Sequence, residues 1–162
     1  MMASRSLWIA VAIAVIVVIV GATVFYYKKM PGPTPGPTVT LTLYEGDNMT
    51  SAGLQGLFGL TQSSMTSPGP QLNFTVGDVV SITVFNTGNS ISPHNWAIVN
   101  AKSDTAPVVF GAQVGSPSNP LSPGASGSVK FTADQAGNFY YVCQVPGHVE
   151  LGMWGTVVVT AK

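Results

Sequence analysis

The feature that most constrains the fold is a short stretch near the C-terminus that holds the only cysteine, Cys143, followed by His148 and Met153. Four residues separate each of these side chains from the next, and Pro146 and Gly147 favour a chain reversal after the cysteine. A thiolate, an imidazole and a thioether on one tight loop can approach a single point. The stretch therefore predicts a metal-binding loop, and the rest of the chain must fold so as to complete its ligand set.

One upstream residue, His94, is the only other histidine and so the only candidate for a second imidazole ligand. Two imidazoles and a thiolate in a trigonal arrangement, with a weakly bound axial methionine, form the ligand set of blue copper. Zinc is a poorer match, because its usual ligands are thiolate, imidazole and carboxylate rather than thioether. Each residue alone has an ordinary explanation as a packing or loop residue, so the prediction of copper depends on the combination. It requires the fold to place His94 beside Cys143.

The small number of histidines and cysteines also limits the catalytic functions available to the chain. Once His94 and His148 are assigned to copper, no imidazole is left for a second catalytic centre or for the base of a Ser-His-Asp triad. A binuclear copper centre would need a second cysteine. The composition therefore predicts a one-electron carrier and not an enzyme.

The family that this loop resembles is the cupredoxins, the type 1 blue copper proteins. The resemblance rests on the spacing of Cys143, His148 and Met153, on the aromatic strand Phe139–Val142 before them and on Trp154–Val158 after them. Within the family, the amino-acid sequence of the loop is most similar to that of rusticyanin and the archaeal sulfocyanins. The similarity covers roughly residues 72–160, whereas residues 38–71 match no motif.

The resemblance implies a role for each candidate ligand. His94, Cys143 and His148 would be the equatorial ligands of one type 1 copper ion that alternates between Cu(I) and Cu(II). Met153 would be its axial ligand. Asn95, directly after the first histidine, would tie the two ligand loops together.

The resemblance also implies how electrons enter and leave. The edge of His148 would reach the surface inside a ring of apolar residues, made up of Val145, Pro146, Gly147, Val149 and Leu151. Glu150 is the only charged residue nearby in the sequence, so docking is expected to be apolar and weakly dependent on salt. The partners would be membrane-bound respiratory redox proteins, such as a terminal oxidase or a cytochrome.

The remainder of the chain predicts an all-β fold. From Val39 onward apolar and polar residues alternate, and segments rich in Val, Ile, Phe and Thr are separated by Gly, Pro and Ser turns. This pattern predicts an antiparallel β-sandwich, which the resemblance narrows to a Greek-key cupredoxin sandwich. The predicted strands are 39–44, 72–76, 79–86, 95–99, a short irregular one at 108–110, 128–132, 138–143 and 156–160. Residues 45–70 show no clear period, which leaves a short hairpin and a long loop both open.

The N-terminal part of the sequence predicts a membrane attachment. Leu7 to Tyr27 contains no charged residue and is long enough to cross a bilayer as a helix, although a cleaved signal peptide is the alternative. The following segment repeats Pro-Gly-Pro-Thr and predicts an extended stalk. We therefore expect residues 1–29 to be the anchor or signal peptide, 30–38 the stalk and 39–162 the copper domain. On functional grounds, the single-pass protein would hold that domain outside the cell membrane.

Several alternatives remain open from the sequence. A copper storage or delivery protein would use the same sulfur ligands, a red-copper variant would recruit Glu150 in place of Met153, and a purely structural sandwich would bind no metal. Nucleic acid is not an expected partner, because charged residues are few and the formal net charge is zero. We expect the protein to be a monomer.

Overall fold

A computed structural model describes residues 36–162, which form two β-sheets around one main core. The strand order is β2-β1-β4-β7 in the first sheet and β3-β9-β8-β5-β6 in the second. A short 3₁₀ turn, Gln62–Ser64, lies between β2 and β3. The strands are β1 Thr38–Thr50, β2 Gly53–Gly59, β3 Leu72–Thr75, β4 Val79–Asn86, β5 Trp96–Val99, β6 Val108–Val114, β7 Ser126–Thr132, β8 Gly137–Val142 and β9 Trp154–Thr160.

The prediction of an all-β sandwich is confirmed, but the expectation that its strands are all antiparallel is wrong. Strand β1 pairs with β4 in parallel, as β3 does with β9. Parallel neighbours need a long crossover connection, and both pairs have one. Between β1 and β4 the chain passes through β2 and then through β3 in the opposite sheet.

Residues 45–70, in which apolar and polar residues show no clear period, contain a hairpin. Strand β1 continues to Thr50, turns through Ser51 and Ala52, and pairs antiparallel with β2. The following loop is held by backbone hydrogen bonds, since Thr66 N–H donates to Phe58 O at 2.8 Å and Gly69 N–H donates to Trp154 O at 2.8 Å. The hairpin alternative is therefore the right one, and it extends the first sheet well beyond the predicted strand.

The main core lies between the sheets and is aromatic at its centre. Trp96, Tyr141 and Phe58 are completely or almost completely buried, and the rings of the last two meet edge to face with centroids 5.1 Å apart. The Tyr141 hydroxyl donates to Pro70 O at 2.6 Å, so its polar atom is satisfied inside the core. A Cβ at Gly155 would overlap the Tyr141 ring, and only glycine fits at this point of β9.

The sheet topology brings two candidate ligands to the same end of the second sheet, where β5 begins and β8 ends. His94 lies two residues before β5, and Cys143 directly follows β8. Because β5 and β8 are antiparallel neighbours, with Ala97 opposite Val142, the start of one strand lies beside the end of the other. The fold therefore places His94 beside Cys143, as the predicted ligand set requires.

The predicted anchor and most of the predicted stalk lie outside the described residues. Strand β1 begins at Thr38, and Gly36 N–H already donates to Gly77 O at 2.8 Å. Within residues 36–162, none of the helical structure is long and apolar enough to cross a membrane.

Candidate metal centre

The backbone of His94 is held in place by Leu121, which lies in the loop between β6 and β7. Its N–H donates to Leu121 O at 3.0 Å, and Leu121 N–H returns a bond of 2.7 Å to His94 O. This isolated bridge fixes the backbone just before β5, and the side chain is buried. The backbone that carries the ring is therefore fixed by main-chain hydrogen bonds and does not lie on a free loop.

The loop from Cys143 to Met153 closes on itself between β8 and β9. Cys143 N–H donates to Met153 O at 3.1 Å, and Met153 N–H donates to His148 O at 3.0 Å. His148 N–H donates to Val145 O at 3.1 Å, which makes the reversal predicted from Pro146 and Gly147. Gly147 has a φ of 83°, a left-handed conformation that glycine adopts readily.

The donor atoms of three of the four predicted residues converge. The Cys143 sulfur lies 3.9 Å from His94 Nδ1 and 3.4 Å from His148 Nδ1, and the two Nδ1 atoms are 3.1 Å apart. An ion at the centre of a triangle, roughly 2.0 Å from nitrogen and 2.3 Å from sulfur, would hold its donors about 3.5 Å apart. The observed triangle has that size, so these side chains fit one metal ion.

Met153 belongs to the same loop and is completely buried. Its backbone bonds join both Cys143 and His148, which places it next to the donor cluster. Gly56 on β2 makes room for it, because a Cβ there would lie only 2.6 Å from Met153 Cβ. The need for a small residue at Gly56 was not visible from the sequence, and the axial role of Met153 stays a prediction.

Comparison with known proteins identifies the family. Residues 59–160, more than half of the chain, match the copper binding proteins of the plastocyanin/azurin family. The chain belongs to this family of blue copper proteins. A donor set of His94, Cys143 and His148 with Met153 beside it fits one type 1 copper ion.

Individual relatives agree with this assignment. The chain is 34% identical over 105 residues to auracyanin-B of Chloroflexus aurantiacus, covering 55% of this chain and 45% of that protein. It is 35% identical over 94 residues to rusticyanin of Acidithiobacillus ferrooxidans, covering 56% of this chain and 50% of that protein. A solved copper nitrite reductase from Nitrosomonas europaea superposes with a TM-score of 0.55 and 28% identity, over 77% of this chain and 42% of that one. The chain thus spans about half the length of the two curated relatives.

Asn95 joins the two ligand-bearing segments of this cupredoxin, as the resemblance implied. Its backbone N–H donates a hydrogen bond to the Cys143 sulfur, with 3.5 Å between nitrogen and sulfur. Its side-chain oxygen accepts from Gln144 N–H at 2.7 Å. The segment before β5 is therefore bonded directly to the cysteine and to the residue after it.

Burial controls the protonation of the donors before copper binds. Burial raises the pKa of the Cys143 thiol to about 12, against the opposing hydrogen bonds from the Asn95 and Val145 backbone. Copper binding must therefore displace a proton from the thiol. Burial also lowers the pKa of His94 to about 4 and lowers the pKa of His148. Both imidazoles are neutral near pH 7, with lone pairs available to a metal.

Two polar residues behind His94 were missed by the sequence reasoning. Ser90 Oγ lies 2.9 Å from His94 Nε2, and Asp47 Oδ2 lies 3.5 Å from the same nitrogen. Asp47 comes from β1, within the stretch that had no recognisable pattern. Buried acidic residues in a strand are a signal of function, but the strand itself was not predicted that far.

The surface around His148 differs in two respects from the expected apolar ring. Val149 is buried and packs in a separate small cluster with Ala97 and Val142, so it does not belong to the ring. Glu150 is also not the only charge nearby, because Asp104 Oδ2 accepts from Gly147 N–H at 3.3 Å. The sequence did not indicate this contact, because Asp104 lies far from Gly147 along the chain, in the turn after β5.

Proposed function

We propose that this protein is a membrane-tethered blue copper protein that carries single electrons between respiratory-chain components on the outer face of the membrane. The observation that carries the proposal is the triangle of His94, Cys143 and His148 donors at one end of the second sheet. The tether is inferred from the charge-free segment Leu7 to Tyr27 and from the Pro-Gly repeat after it. The outer location is inferred on functional grounds.

The site is suited to a copper ion that changes oxidation state without leaving. Bound copper would supply the one-electron couple, and a fixed ligand geometry keeps the rearrangement between its two states small. The ligand geometry is rigid in this chain because the ligand-bearing segments are hydrogen-bonded to each other, through Asn95 and through the backbone bond between Cys143 and Met153. We assign the equatorial positions to the three clustered donors and the axial position to Met153.

The His148 side of the site is the proposed point of electron entry and exit. His148 is half-buried, whereas His94 and Cys143 are buried. Pro146 and Gly147 are exposed beside it, and Val145 and Leu151 are half-buried. Asp104 and Glu150 are the nearby carboxylates, and Lys102 lies over the Trp154 ring at 4.5 Å. One lysine and two carboxylates leave little net charge, which favours apolar docking.

Electron self-exchange tests this function. Mixing oxidised and reduced copper-loaded protein is expected to broaden the proton resonances of the reduced form, because the reduced copper centres exchange electrons with oxidised ones through the His148 faces. The rate constant is expected to change less than about twofold between roughly 0.05 and 0.2 M salt.

A matched variant makes the test specific. Pro146→Glu raises the net negative charge of each docking face, which already carries one lysine and two carboxylates, so exchange should slow at low salt and recover as salt screens the repulsion. Absence of measurable exchange, or a strong salt dependence in the unaltered protein, would contradict the proposed mode of transfer.

The remaining alternatives are less well supported by the geometry. A delivery protein must release its metal, whereas here two of the three donors are buried. A red-copper site would need Glu150 as a ligand, but this residue is exposed and its carboxylate is not among the clustered donors. Catalysis by this chain is not proposed, because both of its histidines are assigned to the one site.

A further inference from the structure

The side of the His94 ring that faces away from Cys143 meets a buried carboxylate. Asp47 lies on β1 in the other sheet, and its Oδ2 is 3.5 Å from His94 Nε2. The Asp47 and His94 side chains are 2% and 1% exposed, so water does not screen this pair. A charge at this distance and depth acts directly on the imidazole.

Asp47 is held rigidly in this position. Its Oδ1 accepts from Ile91 N–H at 2.6 Å and from Ser90 Oγ at 3.1 Å. These bonds fix the carboxylate to the segment that precedes His94. The side chain that faces the ring is therefore preorganised, as a partner of a metal ligand must be.

The hydrogen-bond directions determine which ring nitrogen of His94 is protonated. The Ser90 hydroxyl has one proton and lies near two groups that only accept, Asp47 Oδ1 at 3.1 Å and Ser92 O at 3.2 Å. Ser90 Oγ therefore accepts from His94 Nε2–H over 2.9 Å. With the proton on Nε2, the lone pair of Nδ1 faces the Cys143 sulfur and His148.

We propose that Asp47 is a positioning residue that fixes the orientation and tautomer of His94 and stabilises the oxidised form of the bound copper over the reduced form. An anionic partner makes the imidazole a stronger donor, and a stronger donor favours the ion of higher charge. Asp47 thereby lowers the reduction potential. This inference rests on the proposed function, since it requires copper at the site.

The replacement Asp47→Asn in the copper-loaded full chain tests the proposal. Asparagine can still accept from Ile91 N–H, so the loop contact is kept while the charge is lost. Loss of such a partner costs about 10–100-fold in metal affinity, and we expect the loss to fall mainly on Cu(II). A tenfold preferential loss corresponds to a rise in potential of about 59 mV for a one-electron couple. Competition titrations with Cu(I) and Cu(II), together with voltammetry, measure both quantities.

Asp78→Asn is the matched control. Asp78 is also buried, but its carboxylate accepts from Thr75 N–H at 2.8 Å in the turn before β4. This turn lies at the opposite end of β4 from Asn86, which bonds to the segment preceding His94. Asp78→Asn should leave the potential unchanged. A potential for Asp47→Asn equal to that of Asp78→Asn would overturn the proposal.

Ser90→Ala provides a second variant should Asp47→Asn fail to fold. It removes the acceptor of His94 Nε2–H and retains the carboxylate, so a smaller rise in potential is expected. An unchanged potential would again contradict the inference. Failure of the proposed function looks different, because the unaltered protein would then lack the blue absorption band or show no electron self-exchange.

Discussion

Replacing Cys143 with serine is expected to abolish the blue colour of the copper-loaded protein. The colour of a type 1 site arises from charge transfer between a cysteine thiolate and Cu(II), and a serine hydroxyl does not supply that sulfur. Cys143 is the only cysteine in the chain, so no other thiolate can replace it. The visible spectrum and the electron spin resonance spectrum after addition of one equivalent of Cu(II) measure the effect.

Met153→Leu is the control for this experiment. It removes the proposed axial thioether but leaves the thiolate and both imidazoles, and a leucine of similar volume is tolerated in a buried position. The blue band should therefore persist in Met153→Leu and vanish in Cys143→Ser. Persistence of the band in Cys143→Ser would show that the colour does not arise from a Cys143 thiolate bound to copper.

Replacing Glu45 with glutamine is expected to stabilise the folded protein at neutral and alkaline pH. Glu45 is completely buried on β1, and neither of its carboxyl oxygens has a hydrogen-bond partner within the described part of the chain. Burial raises the pKa of this carboxyl to about 8. The folded protein therefore keeps a proton that the unfolded chain releases, and its stability falls as the pH rises from about 4.5 to about 8.

The size of this effect follows from proton linkage. A single group of this kind changes the free energy of unfolding by at most about 1.4 kcal/mol per pH unit. Glutamine does not ionise, so Glu45→Gln removes the slope, and its advantage should grow across that pH range to roughly a few kcal/mol. Denaturant unfolding of the copper-free protein at several pH values measures it. The exposed Glu150→Gln serves as control, and equal pH profiles for both variants would show that Glu45 has an ordinary pKa.

The convergence of the ligands could be predicted because so few residues were available. His94, Cys143 and His148 account for every histidine and cysteine in the chain, so one site had to use them all. Their strands were also recognisable, since β5 and β8 are rich in β-branched and aromatic residues bounded by turn residues. A distinctive ligand set on regular strands is a favourable case for sequence reasoning.

The residues behind the ligands could not be predicted, for reasons that lie in β1. Its inward positions include Glu45 and Asp47, which break the apolar alternation by which buried strands are recognised. Strand pairing was equally hidden, because alternation shows which face is buried but not which strand lies alongside, and so the parallel β1–β4 pair was missed.

The prediction for strand β6 was too short for a related reason. The prediction ended at Phe110, whereas the strand continues to Val114. Phe110 and Gly111 both have positive φ values, 58° and 63°, and the pairing with β5 shifts register at this point. A strand that bends at such an irregularity resembles a strand end in the sequence.

X-ray absorption at the copper edge, on protein loaded with one equivalent of Cu(II), tests most directly whether these side chains hold the metal. We expect one copper per chain with a single sulfur at short distance and two imidazole nitrogens, and the loss of one nitrogen in His94→Ala. A copper ion surrounded only by nitrogen and oxygen, or a spectrum unchanged by His94→Ala, would contradict the assignment of His94, Cys143 and His148 as its ligands.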